Sequence, residues 1–292
     1  MGLVLGVDGG NSKTDVVVAT TDGEPVVYRR GGGSSSHGPG GSAGCIETVA
    51  CLVPEGEYDR AALFLCGADL PHDIEELTAL SQHFARDVVV DNDTFALLYA
   101  GTDREDAVAV VCGAGINCIG RSGERVARYP ALGWETGDWG GSEMVARDAL
   151  FLANRAADGR DEPTELVEIF ERHFGKPVVE IGADVHYRRM PQARLADVVP
   201  AIVESGHPLV QRLADEIVLL VERSLRDLGI DDCDTVLGGG MFAGRLYDLV
   251  APRVPNPRVP ALPPVAGAVL AVLDGDARDR FRGAFGGWEP NG

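Results

Sequence analysis

Cysteine is scarce in this sequence, and no two cysteines form a C-x-x-C pattern. The chain has six cysteines, and four of them lie in apolar or glycine-rich segments, where a reduced and buried thiol is the ordinary occupant. The sequence therefore predicts neither a disulfide framework nor a zinc site.

Long apolar runs are also absent. No segment approaches the roughly 18 consecutive apolar residues that a membrane-spanning helix requires. The chain starts with MGLVLGVDGG, which has neither the basic start nor the separate apolar stretch of a secretion signal. We therefore expect a cytoplasmic protein without a membrane partner.

Basic residues are outnumbered by acidic ones. The chain has 26 Lys and Arg against 45 Asp and Glu, which gives a formal net charge of −19. Such a surface repels phosphate backbones, so nucleic acid is not an expected partner. A nucleotide can still bind where backbone N–H groups and a metal ion neutralise its phosphates locally. The apolar content of 45% over 292 residues fits a globular protein of one large or two ordinary domains.

The first part of the chain alternates strand-like and helix-like segments. The apolar runs LVLGV, DVVVAT and EPVVYR predict three strands joined by turns, and a glycine- and serine-rich segment follows at 29–44. After a helix at about 42–52, further strands are predicted at 62–66 and 87–91. A helix between these two strands indicates a parallel pair with a crossover connection.

A similar pattern begins again near Ala107, where three strand-like runs are separated by glycine turns: AVAVVC, INCIGR and ERVARY. We therefore predict an α/β protein of two lobes, residues 1–105 and 106–292, each built on a mixed sheet, with a cleft between them. The second half is richer in helix, with helices predicted at about 141–156, 163–174, 195–204 and 207–228. The last helix, PPVAGAVLAVL, is assigned to the second lobe, with a return to the first lobe as the alternative.

The segment DGGNSKTD, from Asp8 to Asp15, is the first candidate for ligand binding. Glycine permits close approach of backbone N–H groups to a phosphate chain, and polar residues follow the two glycines. The predicted phosphate-binding residues are Gly9, Gly10, Asn11, Ser12, Lys13 and Thr14. The alternative is an ordinary hairpin turn.

The segment CGAGINCIG occupies the equivalent place in the second half, with Gly113 and Gly115 at its turn. One glycine hairpin from each lobe could hold the two sides of a triphosphate. A third glycine-rich segment, DTVLGGGMFAG, follows an apolar run and contains Gly238, Gly239 and Gly240. These glycines could leave a flat surface for adenine or ribose, or they could allow a helix to pack closely on the strand.

Two further segments contain candidate carboxylates. In VVVDNDTF, Asp91 and Asp93 stand where a buried strand passes into a helix, and ligands gather at the carboxyl ends of strands in α/β sheets. Asp93 is the candidate catalytic residue, with a helix cap as the alternative, and Asp91 is interpreted as structural. In GWETGDWGGSE, Asp138 is a candidate for binding sugar hydroxyls, while Trp134 and Trp139 could be core residues.

With these five segments in this order, the sequence resembles the BadF/BadG/BcrA/BcrD ATPase family and, within it, the N-acetylglucosamine kinases. The resemblance extends from Gly6 to about Leu273. It implies two ribonuclease H-like lobes, as in the actin-like ATPase fold, with the active site in the cleft between them. It further implies that ATP and Mg²⁺ are used.

The resemblance also implies roles for individual residues. Asp8 would organise Mg²⁺ through water, Asp93 would act as the base, and Asp138 would bind sugar hydroxyls. The other residues that it places near phosphate or sugar are Gly9, Gly10, Thr14, Gly115, Asn117, Ser36 and His37. Ser36 stands where the N-acetylglucosamine kinases have Asn, and Trp139 stands where they commonly have an acid, so we expect a reshaped sugar pocket.

The expected function is ATP-dependent phosphorylation of a sugar hydroxyl, with N-acetylglucosamine or a related amino sugar or hexose as acceptor. A homodimer is an open alternative to the monomer. One alternative function is the ATPase activator of a radical dehydratase, which needs an iron–sulfur cluster held by cysteines at a subunit interface. Another is a non-catalytic sugar- or nucleotide-binding regulator.

Overall fold

The structure, a computed structural model, describes residues 2–286. Residue 1 and residues 287–292, at the ends of the two predicted lobes, lie outside the described residues. The first sheet consists of β1 (Leu3–Gly9), β2 (Lys13–Thr20), β3 (Pro25–Gly32), β4 (Arg60–Leu65) and β5 (Asp87–Asn92). Its strand order is β3-β2-β1-β4-β5, in which β1 is antiparallel to β2 and parallel to β4.

The second sheet repeats this arrangement. Its strands are β6 (Asp106–Cys112), β7 (Ile116–Ser122), β8 (Arg125–Arg128), β9 (Asp234–Gly238) and β10 (Pro257–Arg258). The order is β10-β9-β6-β7-β8, with β6 antiparallel to β7 and parallel to β9. The predicted repeat of the strand pattern is confirmed, and so is the α/β fold class.

Helices connect and cover these sheets. In the first half they are α1 (Gly41–Leu52), α2 (Pro71–Ser81) and α3 (Thr94–Gly101). In the second half they are α4 (Gly141–Ala157), α5 (Leu166–Phe174), α6 (Val178–His186), α7 (Val199–Ser205), α8 (Pro208–Leu228), α9 (Arg245–Val250), α10 (Pro264–Val272) and α11 (Asp276–Gly286). The helix expected at about 195–204 is instead a 3₁₀ segment, Gln192–Val198, followed by α7.

Apolar side chains separate the sheets from the helices in three layers. One layer lies between the first sheet and α1 and α2, and another lies between the second sheet and α4 to α9. The middle layer joins the two sheets through α3 and α10, and it includes Phe64, Phe95, Val236 and Val269. Burial of this much apolar surface is the main stabilising contribution to such a fold.

The helix α10 packs on the first sheet, although it follows the second sheet in sequence. It lies against β1 and α3, and glycine at 6 and 267 permits the close approach. A side chain at 267 would collide with the carbonyl oxygen of Ala96. The chain therefore crosses back to the first sheet near its end, while the boundary between residues 105 and 106 remains a prediction.

All six cysteine thiols are free in the structure. Within residues 2–286, no helix is long and apolar enough to cross a membrane.

Candidate functional site

The turn between β1 and β2 is held by backbone hydrogen bonds. The N–H of Gly10 donates to the carbonyl of Lys13 at 2.9 Å, and the N–H of Ser34 donates to the carbonyl of Gly10 at 3.0 Å. Thr14 is fully buried, and its hydroxyl donates to the carbonyl of Gly32 at 2.7 Å. The Thr14 side chain therefore supports the turn from below, whereas Asn11, Ser12 and Lys13 are exposed above it.

The turn between β6 and β7 is fixed by the first residues of α4. The N–H of Ser142 donates to the carbonyl of Gly113 at 2.8 Å, and the N–H of Glu143 donates to the carbonyl of Ala114 at 3.0 Å. A side chain placed at Gly113 or Gly115 would meet no atom within 4 Å. Open space beside both glycines is what a phosphate-binding turn requires.

Asp93 stands at the N-cap position of α3, but its side chain makes no capping hydrogen bond there. The side-chain oxygen of Asn92 accepts from the N–H of Thr94 at 2.9 Å and so takes that role. Burial, together with the nearby carboxylates of Asp8 and Asp69, raises the pKa of Asp93 to about 7. The residue as a whole is half-buried, although its carboxyl group is largely desolvated.

A network of side-chain hydrogen bonds beside Asp93 joins the two sheets. The amide of Asn92 donates to the carboxylate of Asp69 at 2.8 Å, and the amide of Asn117 donates to the oxygen of Asn92 at 3.1 Å. Asn117 belongs to β7 of the second sheet, while Asn92 ends β5 of the first. The structure thus brings the predicted residues Asp93 and Asn117 into one region.

Asp69 was not indicated by the sequence as a site residue, because GADL after β4 has no feature that distinguishes it from a turn. Burial raises the pKa of Asp69, and the charge of His37 counteracts this rise. The backbone N–H of Ser36 donates to the carbonyl of Cys66 at 3.2 Å, which brings the glycine- and serine-rich segment to the end of β4. Ser36 and His37 are therefore close to Asp69.

Asp8 lies in β1 near its carboxyl end. Burial raises the pKa of Asp8 to about 6 despite the opposing effect of the Lys13 charge. Among residues 2–286 no group of three or more metal-ligating side chains is found. Mg²⁺ is commonly bound by one or two carboxylates together with water and substrate phosphates, and a single carboxylate such as that of Asp8 would suffice for it. Asp8 would then be the protein residue that holds the hydrated ion.

The raised pKa of Asp93 predicts an effect on stability that depends on pH. Because its folded-state pKa of about 7 exceeds the ordinary 3.8, this group's stabilisation is present at low pH and is lost as pH rises through about 7. We expect Asp93→Asn to melt at a higher temperature than the unmodified protein at pH about 8, with a smaller difference at pH about 5. Calorimetry at both pH values tests this. Asp87→Asn, an exposed change at the other end of β5, is the control, and an Asp93→Asn protein less stable at pH about 8 would contradict the prediction.

Asp138 follows the short helical turn Trp134–Thr136, and its carboxylate accepts from the N–H of Gly133 at 3.3 Å. Burial raises its pKa, with smaller contributions in the same direction from Glu216 and Asp69. A cavity of about 200 Å³ is lined by Asp138, Asn117, Thr136, Tyr129 and Glu216. Glu216 of α8 is a second residue that the sequence did not indicate.

The two tryptophans of this segment have different environments. Trp139 is buried in the apolar layer behind the second sheet, and its ring N–H donates to Asp148 at 2.9 Å. The guanidinium carbon of Arg212 lies 3.7 Å from the centre of the Trp139 ring. Trp134 is 62% exposed, so the interpretation as a core residue is right for Trp139 and wrong for Trp134.

The three glycines at the end of β9, residues 238–240, differ in their surroundings. A side chain at Gly238 would collide with Leu97 of α3, and one at Gly239 would collide with the backbone of Cys112. At Gly240, by contrast, nothing lies within 4 Å. Close packing therefore accounts for the first two glycines, and only Gly240 leaves open space for a nucleotide.

Asp91 pairs with Arg128 of β8. Nη2 of Arg128 lies 2.7 Å from Oδ2 of Asp91, and the guanidinium group also lies over the ring of Phe95 at 5.1 Å from its centre. The pair links the first sheet to the second, which agrees with a structural role for Asp91.

Comparison with known proteins identifies the family of this chain. The model of the BadF/BadG/BcrA/BcrD ATPase family matches residues 5–274. The chain belongs to this family.

Two solved structures are similar to this family member in fold. A candidate N-acetylglucosamine kinase from Chromobacterium violaceum has a TM-score of 0.73 at 19% identity, with 92% of this chain and 98% of the other covered. A ROK family glucokinase from Streptomyces griseus, solved with glucose and AMPPNP, has a TM-score of 0.53 at 16% identity, covering 97% and 100%. Both similarities support the expected actin-like fold of two ribonuclease H-like lobes.

One curated relative is similar in sequence. The N-acetylmuramic acid/N-acetylglucosamine kinase of Clostridium acetobutylicum is 28% identical over 179 residues, which are 57% of this chain and 58% of the relative. The match thus spans less than two thirds of the relative's length.

Proposed function

We propose that this protein is an ATP-dependent sugar kinase whose acceptor is N-acetylglucosamine or a closely related amino sugar. The observation that supports the reaction most strongly is the environment of Asp93. This carboxyl group is desolvated, its pKa is raised to about 7, and it lies where β5 passes into α3, and a pKa near neutrality suits a general base. The relatives named as N-acetylglucosamine kinases support the acceptor class.

In the proposed reaction, Asp93 accepts the proton of the sugar hydroxyl while the sugar oxygen forms a bond to the γ-phosphorus of ATP. The bond from that phosphorus to the bridging oxygen breaks, and ADP leaves with the electron pair. The open glycines at 113, 115 and 240 would let backbone N–H groups approach the nucleotide. Bound through Asp8, Mg²⁺ would neutralise part of the phosphate charge.

The burial of the two cysteines beside the second glycine turn argues against the dehydratase-activator alternative. Cys112 and Cys118, at the second glycine turn, are 0% and 1% exposed, and burial raises the pKa of both thiols to about 12. A cluster shared between subunits needs exposed thiolates. These two residues are therefore poor ligands for such a cluster.

A coupled assay of ADP release with a panel of hexoses and amino sugars tests the proposal. We expect release with N-acetylglucosamine and none without sugar. A preference for glucosamine or glucose in kcat/KM by more than about tenfold, which corresponds to about 1.4 kcal/mol, would contradict the acetylated acceptor but not the kinase. Failure with every sugar would contradict the kinase itself.

A further inference from the structure

Asp15 is a buried carboxylate in the middle of a strand, with three side-chain partners. It lies in β2 and is 1% exposed. Lys13 Nζ lies 2.6 Å from its Oδ2, Arg30 Nε lies 2.6 Å from its Oδ1, and the hydroxyl of Tyr28 donates to Oδ1 at 2.8 Å. Arg30 also donates to Oδ2 through Nη2 at 3.1 Å, so this pair is bidentate.

The strand register places this group beside Asp8. Asp15 lies opposite Asp8 in the β1–β2 pair and opposite Arg30 in the β2–β3 pair. Residues directly opposite one another in a sheet project from the same face. Val17, two residues after Asp15, belongs to the apolar layer between the two sheets, so this face is the one directed toward the second sheet.

Asp15 holds the cationic side chains of Lys13 and Arg30, but both side chains remain partly exposed to solvent. The side chains of Lys13 and Arg30 are 45% and 55% exposed, whereas the carboxylate that binds them is buried. With Asp8 opposite Asp15, two carboxylates and two cations meet here, and a Mg²⁺ ion held by Asp8 would leave the group with a net positive charge. Asp15 already fixes both long side chains. When a ligand binds them, Lys13 and Arg30 therefore lose less rotamer entropy than free side chains would.

The two cations lie close to Asp8. Asp8 is directly opposite Asp15 in the β1–β2 pair, and Asp15 holds both Lys13 and Arg30 at 2.6 Å. The carboxylate proposed to hold hydrated Mg²⁺ therefore lies in the same region as two cations.

We propose that Arg30 and Lys13 bind the β- and γ-phosphates of the nucleotide, and that Asp15 is the positioning residue for both. This rests on the proposed function, and it adds Arg30 to the predicted phosphate-binding residue Lys13 and gives Asp15, the last residue of the DGGNSKTD segment, a role of its own. In the transition state, negative charge is spread over the oxygens of the phosphoryl group that is being transferred. Cations that are already in place stabilise that charge without reorganisation.

Nucleotide affinities without sugar test the proposal apart from catalysis. We expect Arg30→Ala to weaken binding of ATP and ADP by about tenfold or more, the usual scale for a lost hydrogen bond to a charged group, and to leave adenosine binding unchanged. Arg30→Lys should recover part of the loss because it keeps the charge. Arg29→Ala is the matched control, since Arg29 lies next in the same strand and donates to the carbonyl of Leu52 at 3.2 Å instead.

The positioning role of Asp15 requires its own variant. Asp15→Asn should lower ATP affinity in the same way, with adenosine affinity unchanged. If Asp15→Asn does not fold, Lys13→Ala and Arg30→Ala decide the matter, and their combined loss should exceed either single loss. Equal weakening of ATP and adenosine, or no weakening of either, would overturn the proposal, as would failure of the unmodified protein to bind ATP. If ATP binds and no sugar is phosphorylated, the proposed function fails while the affinities still test this inference.

Discussion

Replacing Asp93 by Asn is expected to lower turnover by about 10²–10⁴-fold, the usual range for loss of a general base. Asn has nearly the same shape and cannot accept the proton. The helix should be unaffected, because the N-cap hydrogen bond of α3 is made by Asn92 and not by Asp93. Steady-state kinetics with saturating ATP give the turnover, and the affinity for ATP should change little.

The pH dependence of the unmodified enzyme provides a second measurement of the same role. Since the base must be ionised and the pKa of Asp93 is raised to about 7, kcat/KM should fall as pH decreases below about 7. The Asp93→Asn enzyme should lack this acidic limb in its residual activity. The control is Asp87→Asn, which should retain full turnover. An Asp93→Asn enzyme with most of its activity would show that Asp93 is not the base.

The strands of this protein are predictable because their apolar runs are short, β-branched and bounded by glycine turns. The segments LVLGV and DVVVAT became β1 and β2, and the repeat that begins near Ala107 became β6, β7 and β8. The strands β1 and β2 are buried on both faces, as their continuous apolar sequences indicate.

Two helices, α6 and α11, could not be predicted from local pattern. The segment VVEI at the start of α6 has the composition of a strand, yet its buried side chains are Val178 and Ile181, three residues apart, as in a helix. The helix α11 buries Ala277 and Phe281 within a segment that is otherwise charged. In both cases tertiary packing outweighs local propensity.

Site residues could be predicted from the sequence where they belong to a glycine turn or stand at the end of a strand. Asp8, Asp93 and the two glycine turns have such markers. Asp69 and Glu216 have none, because each becomes a site residue only when distant segments come together. Asp15 is similar, since its partner Arg30 lies fifteen residues away and is brought to it by the pairing of β2 with β3.

Replacing Asp138 by Ala is expected to raise the KM for the sugar and also to lower kcat, with a combined loss in kcat/KM of about 10²-fold. In the proposed complex, Asp138 binds acceptor hydroxyls. A misplaced acceptor reacts more slowly even when it is bound, because its oxygen no longer points at the γ-phosphorus. The KM for ATP should change by much less, since Asp138 is assigned to the sugar and not to the nucleotide.

The structure also gives Asp138 a local role that the experiment must separate from sugar binding. Its carboxylate accepts from the N–H of Gly133 at 3.3 Å and so helps to hold the turn. Asp138→Asn can keep that bond while it loses the charge, so comparison with Asp138→Ala distinguishes the two roles. Glu135→Ala, an exposed change in the same turn, is the control. If Asp138→Asn restored full activity, the turn alone would explain the effect. An increase in the KM for ATP as large as that for the sugar would contradict the assignment of Asp138 to the acceptor.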